Sequence, residues 1–179
     1  MGKGNSKWVG RTIVVLGVLV YLTTWPTGSQ PEPPLKKLPP GFHLESQSSY
    51  PTQISILAKK PNTEKACIYL DPDTSLGYSW TAMSADAARM AAEAMILQEQ
   101  QTSSVSNITT EPAGKEGLNG GTLIYKKTTT KQVGLDCPDW VAYSGTWVGV
   151  NNGGLLIIAV SNVPKSKESI KGWIAPLIQ

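Results

Sequence analysis

The longest apolar run in the chain is KWVGRTIVVLGVLVYLTTWPTGSQ, residues 7 to 30, and the span from Thr12 to Trp25 carries no charge over 14 residues. Trp8, Val9 and Gly10 extend it to 18 residues if Arg11 directs its charged end toward lipid headgroups. As a helix that length covers roughly 26 Å, close to the hydrocarbon thickness of a bilayer. Trp8 lies at one end and Tyr21 and Trp25 at the other, where an interfacial aromatic belt places them, and Pro26 stops the helix. The pattern predicts a transmembrane anchor over 8–25 behind a short basic N-terminus, 1–7. A cleaved secretory signal ending near Thr27-Gly28-Ser29 and a buried soluble helix are the competing readings.

Residues 26–41, PTGSQPEPPLKKLPPG, hold six prolines in 16 positions. They predict a stiff, extended spacer at about 3.1 Å per residue rather than part of a core. Beyond it the periodicity changes. QISILAK (53–59) and ACIYL (66–70) have strand character, as do SVSNITT, GTLIYKKTTTKQV and DWVAYSGTWVGV.

Between these runs, SADAARMAAEAMILQEQQ (84–101) predicts a helix capped by Ser84, with Asp86 in its first turn and Arg89 four residues before Glu93. Ala87, Met90, Ala91, Ala94 and Leu97 recur on one face, which the periodicity turns toward a sheet. LLIIAV (155–160) is apolar at every position, the mark of a central strand covered on both faces. Asn152-Gly153 before it is a hairpin signal, since a type I′ turn needs positive φ at both central residues. LNGGTLI and NNGGLLI resemble each other and read as two similar turns entering strands. SKESIKGWIAPLI (166–178) predicts a closing helix broken near Pro176.

The expected fold is α+β over 42–179, a single globular domain. It is an antiparallel sheet of about five to six strands, with the Ala-rich helix and the C-terminal helix mainly on one face.

Charge changes this picture in one respect. Lys3, Lys7 and Arg11 are three of the 16 basic residues, so the rest of the chain carries 13 against 13 acidic ones. The net charge of +3 belongs to the N-terminus, the domain is neutral, and arginine occurs only at 11 and 89. Bidentate phosphate recognition wants more guanidinium groups, so nucleic acid is not an expected partner. Lys3, Lys7 and Arg11 favour a cytoplasmic N-terminus, with Lys36 and Lys37 counting on the other side.

Candidate chemistry is sparse. Cys67 and Cys137 are the only cysteines, and in an exported domain they form one disulfide closing a loop of about 70 residues. Two reduced, buried thiols are the alternative. His43 is the only histidine and stands at the end of the spacer, which excludes multi-histidine metal sites and weighs against a Ser-His-Asp triad. Asp71, Asp73, Asp136 and Asp139 flank the cysteines, so a disulfide would make their acidic turns neighbours. Hard oxygens there make a weak Ca²⁺ candidate, ordinary Asp-Pro turn chemistry the plainer reading, and paired carboxylates for hydrolysis a third. MGKGNS fits the myristoylation pattern with Gly2 as acceptor, and Asn107-Ile108-Thr109 is a glycosylation sequon.

No cofactor motif is present. These features point to a non-catalytic, single-pass membrane protein whose extracytoplasmic domain serves as an accessory or assembly subunit by contacting another protein. A small-molecule or lipid site between the Ala-rich helix and the sheet is the alternative, and a hydrolase using the acidic turns is the third reading.

Overall fold

The computed structural model describes residues 37–64, 67, 73–132 and 136–178. The predicted anchor, Gly2, Asp71 and most of the spacer lie outside these residues. Among the described residues, no helix is long and apolar enough to cross a membrane.

Eight strands form one antiparallel sheet: β1 His43–Tyr50, β2 Gln53–Lys60, β3 Thr74–Ala82, β4 Ser103–Val105, β5 Ile108–Leu118, β6 Gly121–Thr130, β7 Trp140–Asn151 and β8 Gly154–Pro164. Their order across the sheet is β1-β2-β3-β8-β7-β6-β5-β4. The chain therefore runs a three-stranded meander, crosses to the far edge and meanders back. The β3–β8 pair closes the sheet.

The crossing is made by α1, Ala85–Glu99, capped by Ser84, whose hydroxyl accepts from the Ala87 amide at 3.3 Å. Its 15 residues span about 22 Å. Five strand spacings separate β3 from β4, about 24 Å, so the helix has the length its route requires. A second helix, α2 (Glu168–Ile174), follows β8 and tightens into a 3₁₀ turn over Ala175–Leu177, where Pro176 ends the regular pattern.

The expectation of five to six strands is corrected to eight. The additional ones are polar or mixed: β1 reads HLESQSSY and β4 only SSV, so neither carries the apolar alternation that marks a half-buried strand. The run 66–70 lies mostly outside the described residues, and the strand after β2 is Thr74–Ala82.

The two helices also take opposite faces. Ile170 and Ile174 of α2 pack with Ile56, Leu76, Tyr78, Leu156, Ile158 and Trp147. Ala88 and Ala92 of α1 pack with Val148 and Leu155, and Met95 and Ile157 join them. Successive β8 residues alternate between these clusters. The physical reason lies in β8 itself: an apolar run from Leu155 to Val160 exposes greasy side chains on both faces, and one layer of helices covers only one.

The rotation of α1 differs from the expected one as well. Ala88, Ala91, Ala92 and Met95 face the sheet, whereas Met90 and Leu97 are 66 % and 68 % exposed. Alanines occur nearly all round this helix, so periodicity alone does not fix its rotation. Arg89 pairs at 3.8 Å with Asp86.

The described end of the segment read as spacer touches the domain. Leu38 packs on the α2-side core, Pro39 is buried, and the Pro39 carbonyl accepts from the Phe42 amide at 3.2 Å. Phe42 meets Trp173 of α2 edge-on, with centroids 5.4 Å apart, and the Lys60 ammonium lies 4.6 Å from the Trp173 ring centre. The end of the proline-rich segment is thus a strap across the last helix.

Candidate functional site

Among the described residues, chemistry or exposed apolar surface gathers at several places, and three of them bear on the expected sites. The first is the end of the sheet where the β2–β3 and β6–β7 loops meet. Cys67 and Cys137 are bonded there, with Cα atoms 5.7 Å apart. The disulfide is consistent with an oxidising, non-cytoplasmic location.

Beside it, Asn162 sits at φ 59°, a left-handed conformation that asparagine tolerates better than most residues. Its Nδ2 donates to the Asp73 carbonyl at 3.0 Å, and its Oδ1 accepts from the Trp140 indole at 3.0 Å. Its own carbonyl accepts from Thr74 Oγ1 at 3.2 Å and Asn62 Nδ2 at 3.1 Å. Thr74, almost fully buried, also donates to Asn62 Oδ1 at 2.9 Å. This network is an internal tie holding the starts of β3 and β7 to the end of β8.

Of the four aspartates in the acidic turns, Asp73, Asp136 and Asp139 are among the described residues. Asp73 uses its backbone carbonyl in the tie, Asp136 and Asp139 lie on the segment leading into β7, and Asp71 lies outside the described residues. Among the described residues no group of three or more His, Cys, Asp or Glu side chains gathers to hold a metal. His43 is the first residue of β1 and is exposed.

The second place is a polar cluster on the α2 face. Tyr125 of β6 donates its hydroxyl to Glu116 of β5 at 2.6 Å, and Lys171 of α2 reaches the other Glu116 oxygen at 2.5 Å. Lys167 lies 4.9 Å from the Tyr125 ring centre and donates to the Ala113 carbonyl at 2.6 Å. That carbonyl lies within the β5 bulge between Pro112 and Gly114, and Gly114 has φ 124°. Two open clefts, of about 420 and 380 Å³, flank Lys167.

The electrostatics of this cluster favour a Glu116 anion beside a protonated Tyr125. The Lys171 and Tyr125 hydrogen bonds hold the Glu116 carboxyl below its ordinary value. Burial, and then the Glu116 hydrogen bond, push the Tyr125 phenol up. Glu116 is held as an anion between two donors, one on each oxygen, and Tyr125 keeps its proton as one of them. The arrangement buttresses β5 against α2.

Part of this cluster is written in the sequence. Asn119 and Gly120 take φ 46° and 79°, forming the two-residue turn that their identities predict. Counting back from that turn places Glu116 opposite Leu123 and diagonal to Tyr125 on one face. The contribution of Lys171 comes from a distant helix and has no local signal.

The third place is the outward surface of α1, where Met90, Ala94 and Leu97 stand in the solvent at i, i+4 and i+7. Its inward surface is occupied by the alanines packed on Val148 and Leu155. The two clefts around Lys167 are on the other side of the sheet. Gly2 and the predicted anchor segment lie outside the described residues. No family model, curated protein or solved structure matches the chain.

Proposed function

We propose that this chain is a membrane-anchored, extracytoplasmic accessory protein whose domain contributes a contact surface rather than a catalytic centre. The observation that carries the reading is the exposure of Met90 and Leu97 on α1. Large apolar side chains in a row along one exposed helix face are a pattern found at protein contact sites. The disulfide agrees with an extracytoplasmic domain, and the run over 8–25 has the length and aromatic borders of an anchor.

The partner offers an apolar groove or helix face able to receive residues at i and i+7, in the manner of helix-in-groove recognition. A photo-reactive residue placed at 90 or 97, with 93 as the flanking control, tests this in native membranes. One discrete adduct from both 90 and 97, lost on Met90→Glu with Leu97→Glu while thermal stability holds, is the expected result. A chain that yields no adduct from either position, and that purifies from membranes as a lone monomer, overturns the reading.

A further inference from the structure

The two edges of the sheet differ in a way that the α1 contact does not explain. Beyond β4, the outer edge of β5 over residues 111–118 carries Glu111, Pro112, Lys115 and Glu116 and is kinked by the bulge at Pro112–Gly114. Charge, proline and bulges are the devices that keep a strand edge from pairing. At the opposite edge, β1 has one bulge, between Leu44 and Ser46. From Ser46 to Tyr50 it reads SQSSY, with no charge and no proline. Among the described residues it is paired on its inner side only, with β2.

The pattern of β1 is also self-complementary. The two-residue turn Pro51-Thr52 pairs Tyr50 with Gln53, so alternation turns the backbone N–H and C=O groups of Gln47 and Ser49 outward. Two copies of β1 related by a two-fold axis through Ser48 set Gln47 against Ser49 of the second copy, and Ser49 against its Gln47. These are the residues with outward groups. Ser46, Ser48 and Tyr50 share the α1 side of the sheet, opposite Leu57, Ser55 and Gln53 of β2.

In this register Tyr50 lies across from Ser46 of the second copy, whose small side chain leaves Leu57 accessible behind it. Tyr50 is 65 % exposed and Leu57 39 % exposed. The ring of each copy can therefore cover the leucine of the other, twice by symmetry.

We propose that the Ser46–Tyr50 edge of β1 pairs antiparallel with the same edge of a second copy, with Ser48 on the two-fold axis and Tyr50 of each copy over Leu57 of the other. The surface is separate from the α1 ridge, so each reading stands or falls alone. A five-residue strand pair buries less than the about 1,200 Å² of a stable complex. The contact is accordingly weak in dilute solution and grows with local concentration.

Ser48 gives a test that few positions allow, because whatever replaces it faces its own copy. In the full chain, Ser48→Cys is expected to form a reducible cross-linked dimer under mild oxidation, while Glu111→Cys on the guarded edge stays monomeric. Ser48→Lys sets like charges directly opposite and should lower the dimer fraction at least tenfold. Mixing Ser48→Lys with Ser48→Glu chains should restore dimers of mixed composition, which also shows that both variants are folded. Ser48→Cys cross-linking no better than Glu111→Cys overturns the pairing. So does failure of the two charged chains to associate with each other, or dimers that cross-link through Leu97→Cys and not through Ser48→Cys.

Discussion

Trp147 donates its indole N–H to the Leu118 carbonyl at 2.8 Å, across the mouth of the turn that joins β5 to β6. Trp80 does the same to Asn151 at 3.0 Å, across the turn that joins β7 to β8. Each turn is X-Asn-Gly-Gly, each indole bonds to the carbonyl of X, and each ring lies against the last glycine. A Cβ on Gly121 would collide with the Trp147 ring, and one on Gly154 would sit 2.8 Å from Trp80 Nε1. The register repeats too, with Trp147 opposite Leu123 and Trp80 opposite Leu156, each leucine two residues past its glycine. The echo between LNGGTLI and NNGGLLI is thus one local device used twice.

Gly121→Ala and Gly154→Ala should each destabilise the domain by about 1–3 kcal/mol, the range for overpacking a filled core. Trp147→Phe should cost a similar amount, since it removes ring volume and leaves the second lone pair of Leu118 without the indole donor. Urea unfolding followed by far-UV circular dichroism measures all three. Gly121→Ala within a few tenths of a kcal/mol of the parent would show that the indole and the Val148 carbonyl both yield freely.

Substitutions at Asn162 should rank by how much of its role each retains. Asn162→Asp keeps an acceptor for Trp140 and loses the donor to Asp73. Asn162→Gly keeps the backbone conformation but neither bond. Asn162→Ala loses both bonds and adds left-handed strain, for a total of about 2–4 kcal/mol. Thermal unfolding of the three variants gives the order directly.

Reduction of the Cys67–Cys137 bond should lower stability by as much as about 4 kcal/mol, the chain-entropy value for a closed loop of this size. The comparison is the urea midpoint with and without a phosphine reductant. Cys67→Ser with Cys137→Ser should match the reduced parent.

Two of the six tyrosines should ionise late. Burial raises Tyr78 to about 12, and burial together with Glu116 raises Tyr125. Folded values above the unfolded one mean that this stability is fully present below pH 10 and lost as pH rises through the raised values. Glu116 has the opposite sense: its folded value is depressed, so its contribution is present above the ordinary carboxylate value and disappears as pH falls through the lowered one. Phenolate absorbance during alkaline titration should lag in the native chain relative to the chain in denaturant, and Tyr125→Phe should remove part of the lag.

The sequence revealed most where a residue's identity alone decides its conformation. The Asn-Gly turns, the Ser84 cap, the Pro176 break and the two-faced burial of β8 all follow from local chemistry, and the Cys67–Cys137 bond from the chain having two cysteines to pair. Strands such as β1 were hidden because a solvated edge needs no apolar alternation. The rotation of α1 was hidden because alanine packs equally well at any position on that helix, and only the sheet beneath selects 88, 91, 92 and 95. That ambiguity bears directly on the candidate contact surface, since Met90 and Leu97 look like core residues until the sheet is in place. The Tyr125–Glu116–Lys171 cluster was half legible, its hairpin register being local and its lysine remote.

The strap bears on when this domain can form during synthesis. Phe42, near the start of the described chain, meets Trp173, near its end, and Leu38 packs on the core that α2 covers. The β3 strand likewise waits for β8. A ribosome emerging with β1 to β3 has made a meander whose inner face has nothing to cover it. The core closes only once α2 has left the exit tunnel, so an early stop or a stalled chain leaves a tethered, open sheet, with its proline-rich lead still unattached to the helix it is meant to clasp.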